Sequence, residues 1–548
     1  MLTLPLEPTD DLANPAFKNP AACEQWLSQL QFTNLHAVHS LLRAQLDEFN
    51  RFPLRVLDRL NTLEKLRETV ATVQTEYAKK LIAKKLPLSD EEFAIFTAII
   101  GLWQGMLTGY QRCLQDFMEG DTQLAKYGVL LCHRLLLYGS LQIIEHLRSG
   151  YEFDGTLWQQ LHALYAFTEG NGLHHEKIND ALHGTGQATS CHTLYAKILL
   201  TCYAKPAELS RAQLHLLDRW LTQWTDVITI ERRCSMSKGD APPLAVDLSA
   251  NKGLQDLQHV TQSDHLRYLA MVPLSKLLRV KSILLQQGQA PQQLELGHDF
   301  YGVDCSAFLN QLLRLWCEGS SDRSAERHSV TISAKLASGF DLICSFIANK
   351  PFRSSAPAST ADFAANKQIA TTGRTFSGTN LPDIGQLDSW TIENESILGA
   401  RLLRENKGGE RIGNNELIAL RTREANAFML GTISWRSVTL SGQLKMGVQY
   451  LPGVAQAVTL KCPDAGPASG KSVPALLLPA MPALKIPASL IVPRDIFQTN
   501  RGCELVQADK ENFNIKMEFS VSGGADFERI SFSQKEEEEK QEEQGQKP

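Results

Sequence analysis

The amino-acid sequence predicts a multi-domain α plus β protein, in which an N-terminal α-helical bundle or solenoid precedes a β-barrel and a second small β-domain. Three observations predict it. At 548 residues the chain is too long for one core and must divide. Apolar residues recur at helical steps from about residue 22 to 290, and short alternating strands with turn residues replace them after about 320. Hydrophobic content of 43% and charged content of 21% are ordinary for a chain that buries a core.

Residues 1–21 form an N-terminal extension and 22–318 the helical domain. In "DRLNTLEKLRETVATVQTEYAKKLIAKK", Leu60, Leu63, Leu66, Val70, Val73, Tyr77 and Leu81 fall on one stripe. Ser89 with Glu92 three residues on has capping-box spacing and predicts a helix start. Further helices are expected over about 90–118, 122–148, 155–169, 190–204, 209–233 and 263–287. Trp158, Leu161 and Tyr165 have the offsets of a tetratricopeptide first helix, but no 34-residue period follows, so bundle and solenoid both stay open. Either surface suits docking of a protein partner better than catalysis.

Barrel-type spacing covers 319–461, with a Ser/Thr/Ala/Gly-rich insertion at 352–386. Its strands are read in Val330 to Ala334, "WTIENES", "NELIALRT", "AFMLGTISWRSV", "GQLKMGVQYL" and "QAVTLK". A second β-rich domain spans 472–533, and 534–548 is an acidic tail.

Net charge of −5 argues against nucleic-acid binding by bulk electrostatics, so an anionic ligand must meet a local arginine cluster. The start lacks a secretory signal, and no run of 18 uninterrupted apolar residues appears, so no membrane span is expected. Eleven scattered cysteines without a C-x-x-C pair read as reduced thiols in a cytoplasm. His174, His175 and Glu176 lack the further ligands that an iron site needs, which predicts no metal. Neither a G-x-x-x-x-G-K-S/T phosphate loop nor a G-x-S-x-G elbow occurs. No enzyme chemistry and no cofactor are expected.

Two short patterns carry recognition chemistry. Arg323 and Arg327, spaced R-x-x-x-R, lead into a strand, and guanidinium forks suit phosphate oxygens and the edge of guanine. Asn394, Ser396 and Gly399, spaced N-x-S-x-x-G, offer short polar groups for a base edge and a close backbone approach. The same turn residues could simply close a β-turn, with Gly399 at a positive φ, and Arg323 and Arg327 could answer Asp322 and Glu326 as surface pairs.

With these residues, and with "RIGNNELIAL", "LGTISW" and "MGVQYL" following them, residues 320–461 resemble the PilZ family of cyclic di-GMP receptors. That resemblance implies a β-barrel on which Arg323 and Arg327 clamp phosphates and a guanine while Asn394, Ser396 and Gly399 hold a guanine from the barrel surface. It implies cyclic di-GMP as a regulatory ligand. The chain departs from the family in the 66 residues between Arg327 and Asn394; Arg401, Arg404 and Arg411, near the turn, could supplement the clamp or merely decorate its rim. The implied role is a bacterial effector that couples the second messenger to an unidentified protein partner of the helical domain, in motility, adhesion or exopolysaccharide control. The alternative is a ligand-independent scaffold with a degenerate barrel.

Overall fold

The computed structural model describes residues 2–180, 182, 188–297, 303–319, 328–350, 383–405, 408–462, 472–507 and 512–534. Residues 352–382 of the expected insertion, residues 535–548 of the expected tail, and both Arg323 and Arg327 lie outside the described residues; the last residues expected in the insertion, Ile384–Gln386, form a 3-10 turn, and Gln534 ends a strand. The chain divides into two compact units, Met1–Lys84 with Leu88–Arg323, and Lys85–Pro87 with Ser324–Pro548.

The first unit opens with α1 (Pro20–Ser28), α2 (Leu35–Arg51), α3 (Val56–Ala78), α4 (Asp90–Met118), α5 (Gly128–Ser149) and α6 (Thr156–Gly170). The stripe read from the sequence faces the core: Leu60, Leu63, Leu66, Val70, Val73 and Tyr77 are buried along α3, while Leu81 falls in the 3-10 turn beyond it. The capping box at α4 is present, with Glu92 N–H donating to Ser89 Oγ and Ser89 N–H donating to the Glu92 carboxylate. Helices α4 and α5 pack side by side at the centre. The stretches Asp90–Met118 and Thr122–Ser149 are long and apolar enough to cross a membrane by length and composition. In this unit they supply core residues such as Ile99, Leu102, Met106, Leu131, Leu135 and Leu136.

The rest of the unit is less helical than its periodicity implies. A short hairpin, β1 (Ile178–Asn179) with β2 (Ala188–Thr189), precedes α7 (Cys191–Tyr203) and α8 (Arg211–Trp224). A four-stranded sheet follows, built of β3 (Thr229–Glu231), β4 (Leu244–Asp247), β5 (Gln255–Asp256) and β6 (Leu266–Ala270) in the order β3-β6-β4-β5. The helix expected over 209–233 therefore stops at Trp224, because the β-branched run from Thr225 to Ile230 favours extended backbone. The helix expected over 263–287 begins only at Val272, where Pro273 occupies its first turn; the unit closes with this helix, α9 (Val272–Gln286), and α10 (Cys305–Cys317).

One buried network in this unit pairs two arginines with two carboxylates. Arg67 grips Asp180 at 2.8 and 2.7 Å, and Arg134 grips both oxygens of Glu64 at 2.9 Å while donating to Asp180 at 3.0 Å. Tyr110 donates to Glu64 at 2.5 Å. Burial pushes the Glu64 and Asp180 carboxyls up, but the two guanidiniums outweigh it and hold both below the ordinary carboxylate range.

The second unit holds two closed six-stranded barrels. The first is made of β7 (His328–Ser338), β8 (Asp388–Ser396), β9 (Gly399–Arg404), β10 (Leu417–Thr422), β11 (Met429–Val438) and β12 (Leu444–Tyr450), in the order β10-β11-β12-β9-β8-β7. Trp390, Ile392, Leu402, Met446 and Val448 are buried on these strands. The second is made of β13 (Gln456–Lys461), β14 (Ser472–Leu478), β15 (Ser489–Pro493), β16 (Gly502–Val506), β17 (Phe513–Gly523) and β18 (Phe527–Gln534), in the order β13-β14-β15-β18-β17-β16. The strand Gln456–Lys461, grouped with the first barrel on sequence, pairs with β14 and β16 and so closes the second.

A helix absent from the sequence reading, α11 (Phe340–Ala348), sits between the barrels. Its Phe340, Ile343 and Cys344 join Leu417 and Ala419 of β10 and Leu476, Leu478 and Ile491 of the second barrel in one apolar layer. That layer covers the β10 side of the first barrel. In a closed six-strand order the strand facing away from β10 is β9.

One cysteine expectation is corrected. Cys462 and Cys503 form a disulfide with Cα atoms 4.4 Å apart, because the register that pairs Leu460 with Leu505 and Lys461 with Glu504 brings the next two residues opposite one another. The nine other cysteines are free thiols.

Candidate functional site

The stretch from Asn394 to Gly399 is a tight hairpin on the β9 side of the first barrel. Strands β8 and β9 turn over Ile397 and Leu398, with Ser396 paired opposite Gly399. Ser396 Oγ donates to the Gly399 carbonyl at 3.2 Å and accepts from Leu398 N–H at 3.4 Å, so the serine closes the turn. Gly399 is not in the left-handed region; the positive φ considered for it is not observed. Its constraint is proximity, since a Cβ there would lie 2.1 Å from the Val448 carbonyl oxygen.

Asn394 is aimed by a bulge. Ile392 pairs with Leu402 and Asn394 with Arg401, which leaves Glu393 as an extra residue in β8. Ile392 and Leu402 point inward and are fully buried, so Asn394 and Arg401 stand on the outer wall. The pairing continues in both directions: Asn394 opposes Ser329 of β7, Arg401 opposes Gly447 of β12, and Gly447 opposes Trp435 of β11. One outward row, Ser329, Asn394, Arg401, Gly447 and Trp435, thus crosses five of the six strands. Its neighbour contains Ser396, Gly399, Gln449 and Thr432.

The row is polar at one end and aromatic at the other. Asn394 Oδ1, buried beneath the surface of the wall, accepts no hydrogen bond among the described residues. Arg401 Nε lies 2.8 Å from the Glu393 carboxylate, and both side chains are partly exposed. At Gly447 an added Cβ would fall 2.0 Å from Trp435 Nε1, so the indole lies across the glycine backbone. Beyond the row, Tyr450 donates to Glu395 at 2.6 Å.

The three alternative arginines separate cleanly. Arg404 is fully buried, donates to Asp388 and to the Glu410 carbonyl at 2.8 Å, and lies over the Trp390 ring. It is a core residue and reaches no ligand on the outer wall. Arg411 donates to the Lys85 carbonyl at 3.0 Å, beside the bridge between Leu86 and Ile412. Arg401 alone of the three stands in the row with Asn394. Arg323 and Arg327 lie outside the described residues, so the structure does not place them beside the hairpin.

The sequence reading found Asn394, Ser396 and Gly399 but missed the register that sets Arg401 opposite Asn394, and the pair Gly447 and Trp435. Their signal was present in "LGTISW" and "MGVQYL", words that carried the family resemblance but had no chemical role attached. His174 and His175 sit in a turn after α6, with the His175 ring tilted against His174 at 4.1 Å and against His192 at 4.8 Å. Among the described residues no group of three or more His, Cys, Asp or Glu could hold a metal ion.

Comparison with known families matches residues 21–234 to "Cyclic-di-GMP receptor FimW, N-terminal domain" and residues 462–534 to "FimW C-terminal beta-barrel domain". The second match agrees with the closed barrel observed there. The Cyclic-di-GMP receptor FimW of Pseudomonas aeruginosa is 22% identical over 549 aligned residues, covering 90% of this chain and 87% of its own length. These matches are to a protein described as a cyclic di-GMP receptor. The first barrel lies between the two matched stretches.

Proposed function

We propose that this chain is a cyclic di-GMP receptor that takes its ligand on the outer wall of the first, PilZ-like barrel. The observation that carries the reading is the outward row in which Asn394, whose buried Oδ1 has no hydrogen-bond partner among the described residues, stands opposite the partly exposed Arg401, on the strands that face away from α11 and the second barrel. Similarity to a named cyclic di-GMP receptor over 90% of the chain supports it.

In this reading the Asn394 amide reads a guanine edge, accepting from its N–H groups. Ser396 and Gly399 hold the hairpin flat so that the base approaches backbone. Arg323 and Arg327, on the segment entering β7, close over the phosphates as the PilZ resemblance implies. Ligand held on the barrel changes which partner the helical unit engages, and a coupling of a few kcal/mol suffices for such a switch. The resemblance supports a bacterial cytoplasmic protein whose output lies in motility, adhesion or exopolysaccharide control.

Calorimetric titration of cyclic di-GMP, with GTP as control, into the wild type, Asn394→Ala and Arg323→Ala/Arg327→Ala tests this. Micromolar or tighter binding that the double variant loses supports the receptor and its arginine clamp. Binding that survives the double variant transfers the clamp to Arg401. A silent wild type rejects the receptor reading and leaves the ligand-independent scaffold.

A further inference from the structure

We propose that His174, His175 and His192 form an acid-sensitive clasp, which holds the turn after α6 on the first turn of α7 while neutral and releases it when protonated. The clasp belongs to the helical unit alone and does not depend on where the ligand binds.

It is built around one ring whose neighbours fix its neutral form. His192 is the second residue of α7, and its backbone N–H donates to the His174 carbonyl at 2.9 Å, which ties the turn to the helix. Its Nε2 lies 2.8 Å from the Ile228 carbonyl and donates to it, because a carbonyl only accepts. Nδ1 is therefore the bare nitrogen of the neutral ring, facing the Tyr165 hydroxyl at 3.4 Å. A second proton would enter there.

The surroundings oppose that proton. The His175 ring stands 4.8 Å from His192 and 4.1 Å from His174, so each charge gained in the cluster repels the next. His174 Nδ1 is buried without a hydrogen-bond partner among the described residues, and a doubly protonated ring would leave a buried N–H there without an acceptor. The N-terminus of α7 turns its positive end toward His192. The nearby carboxylates are already engaged: Glu169 of α6 accepts from Arg267 of β6 at 2.8 and 2.7 Å and from Arg232 at 2.8 Å, and Asp226 accepts from Lys177 at 3.0 Å. Burial pushes the Tyr165 and Tyr195 hydroxyls and the Cys191 thiol up, so they stay neutral. Glu176, beside His175, is exposed to water.

Burial, and then the neighbouring imidazoles, hold His174 and His192 below the ordinary histidine value in the folded state. The opened turn takes protons at the ordinary value, so the clasp's contribution is complete above about pH 6.5 and is lost as pH falls below it. Glu64 and Asp180, held below the ordinary carboxylate range, respond only in stronger acid. The two acid responses are separable.

The test is amide hydrogen exchange of the full chain without ligand at pH 7.5, 6.5 and 5.5, corrected at each pH for the rate of an unstructured peptide. Wild type is compared with His175→Gln and His192→Gln, with circular dichroism melts to verify folding. The clasp predicts that protection of Leu173 and of residues 192–194 falls between pH 6.5 and 5.5 in the wild type, by about tenfold for each imidazole kept neutral, while the amides of α4 and α5 are unchanged. His175→Gln, which removes the ring that stands against the other two, should lessen the fall. His192→Gln, whose amide can still donate to the Ile228 carbonyl, should lessen it further. Equal protection at all three pH values in the wild type, or an undiminished fall in a folded His175→Gln protein, overturns the clasp. Because His175 is exposed, its variant decides the matter even where His192→Gln fails to fold.

Discussion

The second unit contains two barrels of six strands each, and they use the same architecture differently. In the first, register shifts on β7, β8 and β11 converge on one belt of the outer wall, where a polar acceptor, an arginine and an indole stand in a row. In the second, the register shifts described are confined to the β17 and β18 pair, and a disulfide between Cys462 and Cys503 ties β13 to β16 inside an apolar core. Irregularity placed on one face makes a surface that can recognise something. Regular ladders with a covalent tie make a rigid body.

Perturbing each element should expose that division, and the helical unit sets the upper scale. Replacing Arg134 with Leu leaves Glu64 short of its main partner, and breaking a buried pair of this type costs about 3–5 kcal/mol. Helix unfolding followed at 222 nm in urea should show that loss. The wild-type unit should also weaken in acid. Glu64 and Asp180 are held below the ordinary carboxylate range in the folded state. Their contribution is complete above that range and is lost as pH falls through the lowered folded values. An acid transition that Arg134→Leu leaves unchanged would refute this assignment.

In the second barrel, Cys462→Ala/Cys503→Ala should lower stability by about 2–4 kcal/mol with no change in cyclic di-GMP affinity. A change in affinity would erase the proposed separation of roles. In the first barrel, Gly399→Ala forces a methyl against the Val448 carbonyl, and about 1–3 kcal/mol of destabilisation is expected from such overpacking, together with weaker binding. Asn394→Ala is the mildest: about tenfold weaker binding, the value of one hydrogen bond, with the melting temperature unmoved.

What the sequence disclosed, and what it withheld, follow from the range of the forces involved. Stripes such as Leu60 to Tyr77 and the box of Ser89 with Glu92 depend on neighbours three and four residues away, and they were legible. The hairpin at Asn394 was legible for the same reason. The row was not, because reading which side chain faces out assumes a strict period of two, and each bulge breaks it. Arg401 and Arg404 look alike in "GARLLR", yet one stands on the wall and the other lies buried against Trp390. The disulfide depends on the pairing of β13 with β16, strands separated by two others in sequence. Helix α11 is a short apolar run, "FDLICSFIA", whose length suits either strand or helix. Arg67 and Arg134 read as ordinary charged helix positions, and only the fold shows them facing carboxylates in the interior.

The central claim is that cyclic di-GMP binds the outer wall of the first barrel, and amide hydrogen exchange with and without the ligand tests it most directly. The account predicts slowed exchange over residues 391–402 and 433–448, with 456–534 unchanged. Protection confined to the second barrel or the helical unit, or no protection at saturating ligand, would contradict it.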